Sequence, residues 1–324
     1  MTNRIGLNIN PQGWSDSDII GLVQRNGATA QLVMGNPGLA QQVHEATGCI
    51  AVARHDWPDD VASYPDTLIG EWKGLSQQYP DIVHYWPNEP QPGSLNDFLQ
   101  ATTGFMTQCA GSGLRACLGN FAWPQILQPP DVEDGLWDDF LRVASQWTHA
   151  GHGYVGGHEY TTGALPWGCA GRNPNDMANG PLPTWGWPEW PDIMAAADSN
   201  WHLFRWAPLV QRCQVLGIPM PLMLVTEGLW DRMPDLSPDL LAKLDAMAGA
   251  EVHGINSTRH LFPKFWPGQG DLDSAVDQLR WYQATCPDFV KGFTLFTVSQ
   301  APDWQDHNFG AWPDLLNAIP WIAT

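Results

Sequence analysis

Eight apolar segments with the pattern of β-strands alternate with helical segments along the whole chain. The strand candidates are residues 4–10, 28–35, 49–54, 82–86, 114–121, 154–160, 221–226 and 290–298. Strands that alternate with helices form a parallel sheet with right-handed crossovers. Eight such units in 324 residues predict a (β/α)8 barrel, an α/β fold in which residues 1–324 make one domain.

A doubly wound open sheet is the competing architecture. No glycine-rich GxGxxG or Walker sequence follows the first strand candidate, which favours the barrel. Residues 161–191 after the sixth strand are rich in Trp, Pro and Gly and too long for an ordinary strand-to-helix connection. They predict a functional loop on the catalytic face, with a purely structural cover as the alternative.

The charge of the chain limits its partners. Lys and Arg number 15 against 34 Asp and Glu, a net charge of −19, which argues against nucleic acid and anionic membranes as partners. The 19 Trp residues often stand beside Pro or Gly in loop-like segments. Rigid aromatic rings at a cleft can stack on sugars, and the alternative is that they cover the ends of the core.

Six cysteines are scattered without a CxxC pair, so zinc-type spacing is absent and most are expected to be buried thiols, with one or two disulfides left open. No apolar run is long enough to span a membrane, and no signal peptide precedes the first strand. We expect a monomer that needs no cofactor. The protein is expected to be cytoplasmic, to be released without a standard leader, or to have had a leader peptide removed.

Two glutamates stand at strand ends, where a (β/α)8 barrel places its reacting groups. Glu89 follows the fourth strand candidate within Asn88-Glu89-Pro90, and Glu227 ends the seventh. Two carboxyl groups about 5 Å apart form the site of a retaining glycosidase, with one acid/base and one nucleophile. Other strand ends add Trp57 and Asn120 as candidates for substrate binding.

These motifs resemble the retaining (β/α)8 glycoside hydrolases of clan A. Asn88-Glu89-Pro90 matches the Asn-Glu-Pro of strand four in that clan, and Val225-Thr226-Glu227 matches its strand-seven glutamate. His158-Glu159-Tyr160 is similar to a His-x-Tyr segment of strand six, and Trp304 falls where such enzymes place a substrate-platform Trp. No single family within the clan is matched closely enough to carry over a substrate.

The resemblance implies a role for each matched residue. Glu89 would be the general acid/base and Glu227 the nucleophile that forms a glycosyl-enzyme. Asn88 would hydrogen-bond the sugar 2-hydroxyl, Tyr160 would orient Glu227, and His158 would line the site, although a polar core role for His158 is the alternative.

One departure from the clan pattern concerns an arginine. Members usually carry an Arg near the end of strand two that holds the nucleophile, and the second strand candidate has none. Arg54 at the end of the third strand, or Arg205 in the helix that follows the long loop, could substitute. Strand alternation also predicts that Glu159 points away from the face of His158 and Tyr160, as a structural salt-bridge partner and not a third catalytic carboxylate.

The leading expectation is a glycoside hydrolase that acts on β-glycosidic bonds in an oligo- or polysaccharide. A peptidoglycan-degrading, lysin-like glycosidase is one alternative. The sequence also resembles, more loosely, barrel proteins of bacteria and phages that are linked to cell-wall binding modules. A non-catalytic carbohydrate-binding barrel is another alternative. A metal-dependent hydrolase built on His55, His158, His253 or His260 lacks HxH or HExxH spacing.

Overall fold

The protein forms a closed barrel of eight parallel strands in the order β1 to β8, with β8 paired back onto β1. The structure is a computed structural model that describes residues 3–55, 67–88, 95–122, 134–161, 207–230, 259–261 and 270–321, with isolated positions between 242 and 249. The strands are β1 (Ile5–Ile9), β2 (Ala30–Met34), β3 (Ile50–Arg54), β4 (Val83–Tyr85), β5 (Ala116–Ala122), β6 (Gly153–Thr161), β7 (Met223–Trp230) and β8 (Val290–Val298). The predicted (β/α)8 barrel is confirmed.

Eight α-helices lie within the described residues, and most follow the strand that the sequence pattern assigned to them. They are α1 (Asp16–Asn26), α2 (Pro37–Thr47), α3 (Leu68–Gln78), α4 (Leu95–Gly111), α5 (Asp134–His149), α6 (Ala207–Leu216), α7 (Asp271–Thr285) and α8 (Pro313–Ala318). The sequence pattern also predicts a helix near residues 238–248, and this segment falls almost wholly outside the described residues, as does the long loop 161–191.

The first two helices show why their boundaries were readable from the sequence. Ser15 caps α1 by accepting a hydrogen bond from the backbone N–H of Asp18, and Gly27 ends that helix with a φ of 62°. Asn36 caps α2 through the N–H of Leu39, and Gly48 ends it with a φ of 69°. Glycine takes this left-handed conformation without the steric cost of a Cβ.

The seventh strand differs from its prediction. The sequence placed its end at Thr226–Glu227, whereas β7 continues to Trp230. Glu227 therefore lies within the strand and pairs with His158 of β6, and it does not stand at the end of the strand as the sequence predicted. Because the backbone of Glu227 is paired with β6, the register of the sheet sets the direction of its side chain.

Strand alternation divides the buried apolar side chains into two clusters. We call the smaller one the inner layer, because its members occupy alternate, inward positions on the strands: Ala30, Leu32, Val52, Val83, Tyr85, Cys117 and Leu224. The larger cluster lies between the outer face of the barrel and the helices. On β4, Val83 and Tyr85 face inward, so His84 faces outward toward α3.

Five of the six cysteines lie in the described residues, and all five are buried, free thiols: Cys49, Cys109, Cys117, Cys213 and Cys286. Cys169 lies outside the described residues. The expectation of buried thiols is met for these five. In the part of the chain that the structure describes, no helix has the length and apolar character needed to cross a membrane.

Gly6 on β1 sits where the barrel has no room for a side chain. A Cβ at this position would lie 1.9 Å from the backbone oxygen of Ala30 on the neighbouring strand. Backbone atoms held in a sheet cannot move aside as the end of a flexible side chain can. The close approach of β1 to β2 at this point therefore requires glycine.

We expect Gly6→Ala to lower the free energy of unfolding by about 3 kcal/mol, because the added methyl group forces β1 and β2 apart. Gly74→Ala is the matched control, since Gly74 is exposed within α3 and a Cβ there would meet nothing within 4 Å. That control should stabilise the protein by roughly 0.5–1 kcal/mol. Urea unfolding of both variants measures the difference, and equal stabilities would contradict the close approach.

Candidate active site

The carboxylate of Glu227 points into the barrel because β7 contains one extra residue beside it. Val225 pairs with Gly157, and the next pair along the two strands is Glu227 with His158, so Thr226 is the inserted residue. Val225 packs in the outer cluster, and strict alternation would send Glu227 outward as well. The bulge at Thr226 turns Glu227 inward, where only 4% of the residue is exposed.

Arg54 is the cationic partner of Glu227. Its Nη1 lies 2.6 Å from Oε1 of Glu227, across the barrel from β3 to β7. Arg54 takes the inward direction because it stands two residues after Val52, a member of the inner layer. Of the two arginines that could replace the missing one on strand two, Arg54 contacts Glu227, and Arg205 lies outside the described residues.

A chain of polar contacts continues from Glu227 to the segment after β4. Oε2 of Glu227 is 3.5 Å from Nδ1 of His158. Nε2 of the same ring is 3.0 Å from the hydroxyl oxygen of Tyr85. The Tyr85 hydroxyl donates to Oδ1 of Asn88 at 2.7 Å. Residues from β4, β6 and β7 thus form one connected polar network.

Tyr85 is fully buried at the centre of this network. Burial, followed by the negative charge of Glu227, raises the pKa of Tyr85 well above its ordinary value of 10.0. The guanidinium of Arg54 lies 6.0 Å from the centre of the Tyr85 ring, within the range of a cation–π contact. The hydroxyl therefore stays protonated and can act as a hydrogen-bond donor at neutral pH.

The structure brings together three of the predicted site residues, Asn88, His158 and Glu227. Glu89, Trp57 and Arg205 lie outside the described residues. Tyr160 belongs to β6, where its backbone pairs with Leu229, and Trp304 belongs to a 3-10 turn (Pro302–His307); their side chains lie outside the described part.

Asn120 sits apart from this network. It is fully buried near the end of β5, and its amide nitrogen donates to the backbone oxygen of Cys117 at 3.1 Å. Its Oδ1 occupies the space above Gly156, where a Cβ would approach within 1.7 Å of that atom. These contacts describe a residue that fills the interior of the barrel, and its part in substrate binding stays a prediction.

Glu159 faces the opposite side of β6, as alternation predicts. It is completely buried and accepts a hydrogen bond from the hydroxyl of Tyr282 on α7 at 3.1 Å. Burial, followed by the charge of Glu159, raises the pKa of Tyr282 well above its ordinary value. Glu159 therefore belongs to the packing between barrel and helix.

His55 and His84 form a second buried cluster, on the outer side of the barrel. Nε2 of His55 is 3.0 Å from Nδ1 of His84, and Nε2 of His84 is 2.6 Å from the hydroxyl of Ser76. The His84 ring also stacks on Trp72 of α3. His55 and His158 thus belong to different clusters, and the described residues contain no group of three or more His, Cys, Asp or Glu placed to hold a metal ion.

Two features of the network had no sequence prediction. Tyr85 was assigned only to a strand, although the inward position that it shares with Val83 is the signal that would have placed it in the site. The bulge at Thr226 leaves no recognisable pattern in the sequence, because it depends on how β7 pairs with β6.

No protein-family model matches the chain, and no curated protein matches it. Among the solved structures that match is that of XacCel5A, with 12% sequence identity, 99% of each chain covered and a TM-score of 0.43. That TM-score is too low to bear on fold or function. Both therefore rest on the closed barrel and on the contacts inside it.

We expect Arg54→Met to lower the free energy of unfolding by about 3 kcal/mol or more, because it leaves the Glu227 carboxylate buried without its guanidinium. Adding Glu227→Gln to that variant should recover part of the loss. Urea unfolding of the wild type, both single variants and the double variant gives the coupling between the two residues. Strictly additive effects would contradict an ion pair of this strength.

Arg212→Met is the matched control for the arginine substitution. Arg212 forms a bidentate ion pair with Asp138, but its side chain is 34% exposed against 17% for Arg54. Because solvent screens the more exposed pair, this variant should lose about 1 kcal/mol or less.

Acid should destabilise the protein through the His55–His84 pair. Burial lowers the pKa of His55 to about 4, and burial followed by the neighbouring His55 lowers the pKa of His84 to about 3. Below the ordinary value of 6.5 the unfolded chain binds protons that the folded protein excludes. The free energy of unfolding therefore falls as the pH drops from about 6.5 toward 4.

Urea unfolding at several pH values measures this dependence. His84→Gln should reduce its slope by at most about 1.4 kcal/mol per pH unit, the value for one proton. His260→Gln, at an exposed position, is the control and should leave the slope unchanged. A wild-type stability that is flat between pH 6.5 and 4 would contradict the neutral pair.

Proposed function

We propose that this protein is a retaining glycoside hydrolase that cleaves β-glycosidic bonds in an oligo- or polysaccharide, with Glu227 as nucleophile and Glu89 as general acid/base. The observation that carries the proposal is the ion pair between Arg54 and Glu227 inside the barrel, at 2.6 Å. A nucleophilic carboxylate must be held in a fixed place beside the sugar, and a guanidinium in direct contact holds one of its oxygens by a charge-assisted hydrogen bond.

The position of Glu227 also suits attack on a sugar. Its side chain is directed into the barrel from the carboxyl-terminal part of β7, the end at which barrels of this kind carry their reactive groups. Oε1 contacts Arg54, and Oε2 faces His158 at 3.5 Å. The ion pair with Arg54 gives the carboxylate a defined orientation toward the reaction centre, which lowers the entropy lost on the way to the transition state.

The acid/base role falls to Glu89 in the proposal. Asn88, which immediately precedes it, is held by Tyr85 on the same side of the barrel as His158. Asn88 would bind the sugar 2-hydroxyl, and that contact strengthens as the oxocarbenium-like transition state forms. Glu89 would first protonate the leaving oxygen and then activate the water that releases the glycosyl-enzyme.

Further residues complete the proposal without entering the reaction. Tyr160 would orient Glu227, His158 would line the site, and Trp57 and Trp304 would stack on sugar rings, with Asn120 and Arg205 as additional binding candidates. The enzyme would work as a single-domain monomer without a cofactor. Its substrate would be a neutral or cationic glycan, since the chain carries a net charge of −19.

Glu227→Gly tests the assignment of the nucleophile. A screen of reducing-end release from β-glucans, mannans, xylans and peptidoglycan first supplies the substrate class. In this variant turnover should fall by about 10⁴-fold or more, because the covalent step is lost. Added azide should restore turnover of an activated aryl glycoside and give a glycosyl azide of inverted configuration, which NMR identifies.

Glu71→Gly is the matched control, since Glu71 is exposed on α3, and it should retain wild-type turnover without any response to azide. Full activity of Glu227→Gly on the same substrate would contradict the proposal. Sugar binding without turnover by the wild-type protein, measured by calorimetry across the four glycan classes, would favour a carbohydrate-binding barrel instead.

A further inference from the structure

We propose that Tyr85 is a positioning residue that fixes both the proton on Nε2 of His158 and the amide orientation of Asn88, so that the nucleophile and the sugar-binding amide are set by one hydroxyl. The proposal rests on the function proposed above. It deepens that function by assigning the residue that links β7 to the segment carrying Asn88 and Glu89.

The Tyr85 hydroxyl has one proton to share among its polar neighbours. Asn88 and His158 both lie within hydrogen-bond distance of it, and the side chain of Thr226 hydrogen-bonds it as well. Tyr85 donates that proton to Oδ1 of Asn88 at 2.7 Å. Nε2 of His158, at 3.0 Å, must therefore carry a proton and donate to the Tyr85 oxygen. The direction of one hydrogen bond thus decides the other.

Asn88 and His158 are coupled through the same hydroxyl. Because Oδ1 accepts from Tyr85, turning the amide by half a turn would place its NH2 group against that hydroxyl and would force Tyr85 to donate to Nε2 of His158 instead. The amide nitrogen is then the group that Asn88 offers to an acceptor elsewhere. A sugar 2-hydroxyl oxygen is such an acceptor, and hydrogen bonds to the 2-hydroxyl strengthen in the transition state of glycosyl transfer.

His158 lies between Tyr85 and Glu227. With its Nε2 donating to Tyr85, the ring presents Nδ1 to Oε2 of Glu227 at 3.5 Å, and Nδ1 donates to that oxygen only when it carries a proton as well. The contact between Nε2 and Tyr85 fixes the plane of the His158 ring and its distance from the Glu227 carboxylate. Tyr85 thereby acts on Glu227 through His158, in the way that an outer partner orients a reacting group in other active sites.

Tyr85 suits this role because it is rigid. Its side chain is fully buried within the inner layer, together with Val52, Val83 and Cys117, and the Arg54 guanidinium lies over its ring. Packed aromatic rings have few accessible rotamers, so the hydroxyl stays at one point. Burial raises its pKa, which keeps the proton on the hydroxyl over the working pH range.

Tyr85→Phe removes the hydroxyl and keeps the ring, so it tests the role with little change in packing. On an aryl glycoside that the enzyme cleaves, kcat/KM should fall by about 10- to 100-fold. On the matching 2-deoxy glycoside the same substitution should cost clearly less, because the 2-hydroxyl contact is already absent and only the effect on Glu227 through His158 remains. The loss of coupling to the 2-hydroxyl is an effect that a merely structural role would not produce.

Tyr154→Phe is the control, since Tyr154 contacts the inner layer from the other end of β6. It should affect both glycosides equally. An equal loss on both glycosides in Tyr85→Phe, or no loss on either, would overturn the proposal.

A second measurement does not depend on turnover. Two-dimensional ¹⁵N–¹H NMR of the histidine rings, with His158→Gln to assign the signals, reports which ring nitrogens carry protons. In the wild type, Nε2 of His158 should be protonated at neutral pH. In Tyr85→Phe that nitrogen should lose its proton, because its acceptor is gone. An unprotonated Nε2 in the wild type, or no change in the variant, would overturn the proposal.

The two measurements separate this proposal from the proposed function. If no glycoside is cleaved and Glu227→Gly shows no azide rescue, the proposed function fails, and the NMR result alone decides whether Tyr85 fixes the His158 proton. If glycosides are cleaved with azide rescue but the 2-deoxy comparison shows no change in coupling, the function stands and the role of Tyr85 is refuted.

Discussion

The ion pair between Arg54 and Glu227 is the contact on which the candidate site depends. Moving a carboxylate and a guanidinium out of water costs several kcal/mol for each ion, and only close approach and further hydrogen bonds offset that cost. The barrel meets this requirement because β3 and β7 face each other across its interior. At 2.6 Å the two charges compensate each other, and the carboxylate keeps a defined direction.

Alternation along the strands separates two kinds of polar cluster that are neighbours in sequence. Arg54 and Tyr85 face the interior and join the network around Glu227. His55 and His84, each one residue away, face the helices and form a neutral pair packed on Trp72. The inner cluster is chemically suited to catalysis. The outer cluster is structural. Burial keeps its two histidines neutral, so acid destabilises the protein at β3 and β4, the strands that also carry Arg54 and Tyr85.

Much of the fold could be predicted from local patterns. Strands of β-branched and other apolar residues, separated by helices with Ser15, Asn36, Gly27 and Gly48 at their ends, specify eight repeating units. Strand bounds differed by a few residues, most at β7, where pairing with β6 extends the strand to Trp230. Such an extension comes from a neighbouring strand, and a single segment of sequence carries no information about its neighbour.

The site was predictable only in part. Asn88, His158 and Glu227 were singled out at strand ends, and the structure brings them into one network. The choice of Arg54 as partner, the inward turn of Glu227 at the Thr226 bulge and the central position of Tyr85 all appear only in the folded barrel.

By itself, the sequence determined the repeating strand–helix order and the helix caps, and it placed Asn88 and Glu227 toward the carboxyl-terminal side of strands four and seven, because these features depend on residues close together in the chain. The tertiary structure alone decided which arginine meets Glu227, which way Glu227 faces, and that Tyr85 joins His158 to Asn88. Tyr85 and His158 are 73 positions apart in the chain, and Arg54 and Glu227 are 173 positions apart. The geometry of these contacts follows from the closure and register of the barrel.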